Sequence, residues 1–218
     1  MSLKPLIWML ALGLAQLGCL GGAPPTDHFY RLMPASPEPA RAPQLAGVVE
    51  VERFATEGLL LERPLVYGSG RPPLSLHQYG YRFWSEPPPA MLQRQLVDYL
   101  RLANLAETVV TPDLRVDPDY VVEGRLNRLE RVHGQDAISV VLELKLALRD
   151  ARDEKLLWLE TYHREARLAG DGIGEGVVAL NRLLGEVYAR FLDDLIRIDT
   201  SSVTAEPAEG SASAPASR

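Results

Sequence analysis

The feature that most constrains the fold is an alternation of apolar and polar residues over positions 137–150, AISVVLELKLALRD. The apolar set is Ile138, Val140, Leu142, Leu144, Leu146 and Leu148, and the polar set is Ser139, Glu143, Lys145 and Arg149. Side chains of a β-strand point to its two faces in turn, so this segment predicts a strand with one buried and one polar face. Such a strand needs neighbouring strands and a layer over its apolar face.

Further strands are predicted on both sides of this segment. They cover residues 27–32, 46–54, 59–67, 74–84, 108–110, 119–132 and 156–168. The alternation in 119–132 changes phase near Arg128, which indicates a β-bulge. The short polar turn ARDEK before 156–168 favours an antiparallel hairpin with 137–150.

Two amphipathic segments predict helices. After Ser85, a candidate N-cap, one face is formed by Leu92, Leu96, Tyr99, Leu100 and Ala103. The second helix spans about residues 174–198, with a stripe of Val177, Leu180, Leu184, Val187, Phe191, Leu195 and Ile198. The order of segments predicts an α+β fold, in which a mainly antiparallel sheet packs against two helices in strands-helix-strands-helix order.

The first residues have the pattern of an exported protein. Lys4 precedes an apolar run that is too short to span a bilayer, and residues 1–18 are therefore expected to be a signal peptide. Gly18-Cys19 resembles the bacterial lipobox, although Gln16 stands where leucine is usual. Cys19 is the only cysteine, and we expect it to carry a covalent lipid. The alternative is an ordinary signal peptide with an incidental cysteine.

The remaining chain divides into three parts. Residues 19–26 are expected to form a lipidated cysteine and spacer, residues 27–199 a periplasmic domain, and residues 200–218 a disordered tail of Ser, Ala, Pro and Glu. Within the domain, the proline-rich segment 33–43 predicts an extended loop. Leu20 stands after the cysteine, where Asp retains many lipoproteins in the inner membrane. We therefore expect the protein to be anchored at the periplasmic face of the outer membrane.

The residues that carry chemistry are sparse. The four histidines, His28, His77, His133 and His163, are isolated, and one cysteine excludes multi-cysteine zinc sites, so no metal site is predicted. No nucleophile elbow is present. The net charge of −6 without a basic run argues against nucleic acid as a partner. We therefore predict a protein that is not an enzyme and has no cofactor beyond the lipid on Cys19.

An ordered set of short motifs resembles a known family. Tyr30-Arg31-Leu32, the segment 63–67 (RPLVY), the segment 79–88 (YGYRFWSEPP) and Ala179-Leu180-Asn181 are together similar to the ABC-type transport auxiliary lipoproteins, which include PqiC-like subunits of MCE lipid-transport systems. The resemblance implies a subunit that docks on an MCE-type periplasmic conduit and assists lipid movement between the membranes. It also implies membrane attachment through the lipid anchor. The alternative is a carrier that binds a lipid or another hydrophobic solute itself.

Five aromatic residues are the candidate partner-binding or structural site: Tyr67, Tyr79, Tyr81, Phe83 and Trp84. Alternation predicts that Tyr79, Tyr81 and Phe83 share one face. Two interpretations stay open, namely packing of the sheet under a helix and a surface that contacts a partner or lipid. Trp84 lies next to a run of prolines at a strand end, and we expect it to form a structural corner.

Overall fold

The computed structural model describes residues 25–70 and 72–198. The predictions for the signal peptide, Cys19 and the tail from residue 200 lie outside these residues, as does most of the spacer.

Eight strands and two α-helices occur in the described residues. They are β1 His28–Tyr30, β2 Leu45–Val51, β3 Pro64–Gly70, β4 Pro73–Trp84, α1 Pro88–Leu102, β5 Ala106–Val110, β6 Tyr120–His133, β7 Ile138–Asp150, β8 Leu156–Arg167 and α2 Ile173–Ile196. Short 3-10 turns at Gly58–Leu61 and Pro112–Leu114 interrupt the strands, so the predicted strands-helix-strands-helix order holds only in outline.

The strands form one sheet that divides at β6. One edge of β6 pairs with β7 along its whole length, and β7 pairs with β8. The other edge of β6 is shared. Its first residues pair with β2 and its last residues with β3. Strand β5 extends the β2 side, whereas β4 and then β1 extend the β3 side. Strands β1 and β8 therefore lie at opposite edges of the sheet.

The prediction of a mainly antiparallel sheet is wrong. Of the seven strand pairs in the described residues, β1–β4, β2–β5, β2–β6 and β3–β6 are parallel. The antiparallel pairs are β3–β4, β6–β7 and β7–β8. Short turns join the antiparallel pairs and are visible in the sequence, whereas parallel partners lie far apart along the chain and leave no local signal.

Both helices cover the same face of this sheet. The alternating leucines of β7 are buried beneath α2, and Val49 and Val51 of β2 are buried in the same cluster as the residues of α1. The Tyr188 hydroxyl of α2 donates to the Leu92 carbonyl oxygen of α1 at 3.0 Å, which joins the helices. The predicted bulge near Arg128 is confirmed, between Leu126 and Arg128.

The start of α1 differs from the prediction. Its N-cap is Pro87 and has no side-chain cap, while the Ser85 hydroxyl contacts the Met91 sulfur at 3.6 Å. Proline is tolerated there because the first N–H groups of a helix have no partner within it.

The proline-rich segment 33–43 has no helix or strand, as predicted, but it is fixed to the end of α1. The Ala40 N–H donates to the Ala103 carbonyl oxygen at 3.0 Å, and the Asn104 side-chain amide donates back to the Ala40 carbonyl oxygen at 3.2 Å. The segment thus connects β1 to β2 as a fixed extended strap.

Candidate partner-binding surface

Strand β4 contains a large bulge in the middle of the predicted aromatic site. Val66 of β3 pairs with Gln78, and Pro64 pairs with Phe83, so β4 uses five residue steps where β3 uses two. Tyr81 lies in this bulge with φ +59°, a left-handed conformation that side chains other than glycine avoid. Because the bulge adds an odd number of residues, Phe83 changes face relative to Tyr79. The prediction that Tyr79, Tyr81 and Phe83 share one face is therefore wrong.

Tyr67 and Tyr79 pack together in what we call the tyrosine cluster, which comprises Tyr67, His77, Tyr79, Arg131 and His133. The ring centroids of Tyr67 and Tyr79 are 4.4 Å apart, and Tyr67 also stacks on His77 at 5.2 Å. The Tyr79 hydroxyl lies 2.9 Å from His133 Nε2 and accepts a hydrogen bond of 3.0 Å from Arg131 Nη1. These contacts support the packing interpretation for both tyrosines.

Arg131 is the buried cation of this cluster. It is 4% exposed, and its hydrogen-bond acceptors are the Tyr79 hydroxyl and, at 2.9 Å, the Asp171 carbonyl oxygen before α2. Burial, and then the charge of Arg131, lowers the pKa of His133. Burial is also the main cause that raises the pKa of Tyr79. The cluster therefore ties β3, β4 and β6 to the start of α2 through neutral partners around one cation.

Trp84, for which the sequence predicted a structural corner, lies in the core at the end of β4. It is 2% exposed, and its backbone N–H donates to the Arg63 carbonyl oxygen at 2.7 Å. The next residue, Ser85, donates its N–H to the Tyr30 carbonyl oxygen at 2.7 Å. Trp84 thus fixes the junction of β1, β3 and β4 from inside the core, where a partner cannot reach it.

Phe83 is partly buried and belongs to a group that we call the aromatic wing, formed by Phe29, Tyr81 and Phe83. The Phe29 and Phe83 rings stack with centroids 5.7 Å apart, and the Arg63 guanidinium lies 5.2 Å above the Phe29 ring. Phe29 is 55% exposed and Tyr81 is 49% exposed. The sequence prediction missed Phe29, since a strand of three residues gives too short an alternation to assign its faces.

A groove lies on the sheet face opposite the helices, beneath the β3–β4 hairpin. We call it the hairpin groove, and its larger part has a volume of about 610 Å³. Its lining residues are Glu57, Gly58, Leu59, Leu60, Val66, Pro72, Pro73, Leu76, Asn127, Arg128 and Glu130. A smaller cavity of about 280 Å³ shares Pro72, Pro73 and Arg128 and continues toward Val141 and Glu165.

The floor of the hairpin groove carries a buried ion pair. Arg128 Nε donates to Glu130 Oε1 at 2.9 Å, and Glu130 is only 5% exposed. The walls are mostly apolar. No local sequence signal predicted this groove, because it forms where the hairpin bends back over distant strands. At Gly68 an added Cβ would lie 2.6 Å from the Pro73 side chain, which shows how tightly the hairpin closes.

Within residues 25–70 and 72–198, no group of three or more His, Cys, Asp or Glu side chains is placed to hold a metal ion. The helices of that same part include none with the length and apolar character needed to cross a membrane.

The sequence matches the model of a known family. The family model for the ABC-type transport auxiliary lipoprotein component matches residues 30–190, from the end of β1 to the last turns of α2. The chain belongs to this family. The matched range includes the residues of the aromatic strand, the tyrosine cluster and the hairpin groove, so all three lie within the family's domain.

Solved structures share the fold. Protein XCC0632 from Xanthomonas campestris is 16% identical, with a TM-score of 0.72 over 82% of this chain and 100% of its own. An uncharacterized protein is 18% identical, with a TM-score of 0.61 over 78% of this chain and 99% of its own. No curated protein matches the sequence.

Proposed function

We propose that this chain is a non-catalytic subunit of an ABC/MCE-type transport system. A lipid on Cys19 holds it at the periplasmic face of the outer membrane, and it docks on an MCE-type conduit to assist lipid trafficking between the membranes. The observation that carries this proposal is the hairpin groove, which lies on the sheet face opposite the helices.

The packing of the core supports docking over enclosure of a cargo. Trp84, Tyr188 and Phe191 fill the space between helices and sheet, and each is at most 2% exposed. A carrier that encloses its ligand needs an internal apolar cavity, whereas a docking subunit needs an accessible surface. A membrane anchor also raises the effective concentration near a partner in the same envelope, so a modest intrinsic affinity suffices.

A second candidate function is direct binding of a lipid or another hydrophobic solute. The hairpin groove favours it, since Leu59, Leu60, Val66 and Leu76 supply apolar walls and the volume of about 610 Å³ suits a small apolar ligand. The ion pair of Arg128 and Glu130 on the floor is satisfied within the protein and offers no free charge for a headgroup.

Site-specific photo-crosslinking of the full-length protein in its native host tests both candidates. A photoreactive amino acid replaces Leu76, which lines the groove and is 47% exposed, or Leu114, which follows β5 and is 54% exposed. Docking predicts a crosslink to an MCE-type protein from position 76 and not from position 114. A crosslink from position 76 to lipid alone supports the carrier, and equal labelling from both positions contradicts each candidate.

The anchor has its own test. Mass spectrometry of the mature N-terminus is expected to show an acylated Cys19, and Cys19→Ala is expected to abolish membrane attachment. An unmodified N-terminus downstream of Cys19 would contradict the lipid anchor.

A further inference from the structure

The aromatic wing lies next to the point where the chain enters the domain. His28, the first residue of β1, follows Cys19 by nine positions, a segment that spans about 30 Å at most when fully extended. Strand β1 pairs with β4, and the Met33 N–H that follows it donates to Asn181 Oδ1 at 2.6 Å. Because both contacts hold the entering chain, the β1 edge is the part of the sheet tied most closely to residue 19.

This edge exposes aromatic rings without a covering element in the described structure. Phe29 and Tyr81 are about half exposed, and Tyr81 precedes Arg82, the partner of His28 on β1. The left-handed backbone of Tyr81 is strained for an L-residue. The Tyr81 side chain is 49% exposed, so packing offsets only part of that strain. The bulge therefore leaves the Tyr81 side chain half exposed next to Arg82, the residue of β4 that pairs with β1.

The charges around the wing suit a headgroup layer. Arg31, Arg63 and Arg82 lie on or beside this edge with Asp27 and Glu62, whereas Arg94 is paired with Glu86 at 2.6 Å. The edge is thus not acidic, although the chain carries a net charge of −6. Tyrosine, whose ring carries a polar hydroxyl, and arginines with long apolar stems favour a membrane–water interface, and Phe29 adds apolar area.

We propose that the aromatic wing is a bilayer-contact surface. Phe29 and Tyr81 insert at the lipid headgroup level when the anchor on Cys19 is in the same membrane, with the arginines directed toward lipid phosphates. The contact fixes the orientation of the domain, so that a lipid-tethered protein holds one face to the membrane. The inference rests on the lipid anchor of the proposed function. It leaves the hairpin groove, at the opposite end of β4 from Tyr81, free for a partner.

Depth-dependent fluorescence quenching tests this contact. The full-length acylated protein carrying Phe29→Trp or Tyr81→Trp is reconstituted into phosphatidylethanolamine/phosphatidylglycerol vesicles whose acyl chains are brominated near the headgroup. Leu159→Trp is the matched control, since Leu159 is 46% exposed on β8 at the opposite edge of the sheet. After subtraction of the signal from Trp84 and Trp158, quenching at positions 29 and 81 is expected to exceed that at 159 at least about twofold.

Two outcomes separate the failure of this inference from the failure of the anchor. If the acylated protein floats with vesicles and all three positions are quenched equally, the bilayer contact is wrong and the anchor stands. If the purified protein lacks acylation and does not float, both are wrong. Hydrogen exchange of the wild-type protein gives a second readout that needs no variant. Vesicles are expected to slow exchange in residues 28–31 and 79–83, and unchanged exchange there would overturn the proposal.

Discussion

Asn181 of α2 accepts a hydrogen bond of 2.6 Å from the backbone N–H of Met33, and its amide nitrogen donates to the Arg31 carbonyl oxygen at 3.4 Å. One side chain thus brackets the backbone on both sides of Leu32, which is itself buried. One turn further along α2, Gly185 lacks a Cβ that would lie 3.6 Å from the Ala35 nitrogen, so the strap passes close to the helix. The motifs at 30–32 and 179–181, which are distant in sequence, meet at this contact.

Asn181→Ala is expected to loosen the entry of the chain into the domain. It removes both hydrogen bonds to the strap, and because they are exposed, the free energy of unfolding should fall by only about 1 kcal/mol. Amide hydrogen exchange at Met33 should accelerate at least about tenfold. Val178→Ala, at an exposed position of the same helix, is the control and should leave exchange at Met33 unchanged.

Gly47→Ala is expected to destabilise the start of β2 more strongly. Gly47 has φ +87°, and an added Cβ would lie 2.0 Å from Oδ2 of Asp119, the atom that accepts a hydrogen bond of 2.9 Å from the Val48 N–H. The new methyl group must displace this carboxylate, so the free energy of unfolding should fall by about 2–4 kcal/mol in chemical denaturation. Gly58→Ala, also at positive φ but with open space around it, separates backbone strain from the clash and should cost less.

Asp119 should also make stability depend on pH. The hydrogen bond from the Val48 N–H, and then that from Arg152, holds the pKa of Asp119 below its ordinary value of 3.8. A carboxylate whose folded pKa is lowered stabilises the fold above its unfolded pKa, and the contribution disappears as the pH falls through the folded pKa. Asp119→Asn should therefore be less stable than wild type by about 1 kcal/mol at pH 7.

Urea denaturation from pH 7 to pH 2 measures this difference, which should shrink once the pH falls below 3.8. Asp113→Asn, at an exposed carboxylate, is the control. A difference that stays constant down to pH 2 would assign the effect of Asp119→Asn to packing rather than to charge.

The accuracy of the sequence predictions followed the range of the interactions involved. The β7–β8 hairpin, the bulge near Arg128 and the stripe of α2 were predicted because each depends on neighbours within a few residues. The parallel pairing of β2 and β3 with β6 depends on partners more than 60 residues away, and alternation does not encode strand direction. The bulge at Tyr81 has the same origin, because β4 pairs with β1 as well as with β3.

The same reasoning explains the aromatic site. The proline run after Trp84 marks the end of β4 in the sequence, and this is why a structural corner was predicted there. The separation of Tyr79 from Phe83, by contrast, is set by the register of β4 against β3. The hairpin groove combines the 3-10 turn, the hairpin and β6, and no single segment carries a signal for it.

Tyr162→Phe is expected to weaken the attachment of β8 to the end of α2. The Tyr162 hydroxyl donates to Oδ2 of buried Asp194 at 2.8 Å and accepts from Trp158 Nε1 at 3.3 Å. Burial is the main cause that raises the pKa of Tyr162, so the hydroxyl stays a donor across the physiological range. Its loss leaves a buried carboxylate oxygen short of a donor and should cost about 1.5–3 kcal/mol of unfolding free energy.

Chemical denaturation of Tyr162→Phe beside Tyr99→Phe gives the comparison. Tyr99 is also buried, and within residues 25–70 and 72–198 its hydroxyl has no hydrogen-bond partner, so its removal should change stability by less than about 0.5 kcal/mol. Equal losses in the two variants would show that the bond to Asp194 does not contribute.

Tyr81→Gly tests whether the strained bulge serves the fold or a surface function. Glycine adopts φ +59° without strain, which should recover about 1–2 kcal/mol, while its greater freedom in the unfolded chain should cost about 0.5–1 kcal/mol. The ring is only half exposed, and loss of its buried part should cost about 1 kcal/mol more, so the free energy of unfolding should stay within about 1 kcal/mol of wild type. Phe83→Gly, without positive φ and with its ring stacked on Phe29, should instead be destabilised. If Tyr81→Gly loses more than about 1 kcal/mol, its ring stabilises the fold. If stability is kept while protection of the bulge by vesicles is lost, the strain serves membrane contact.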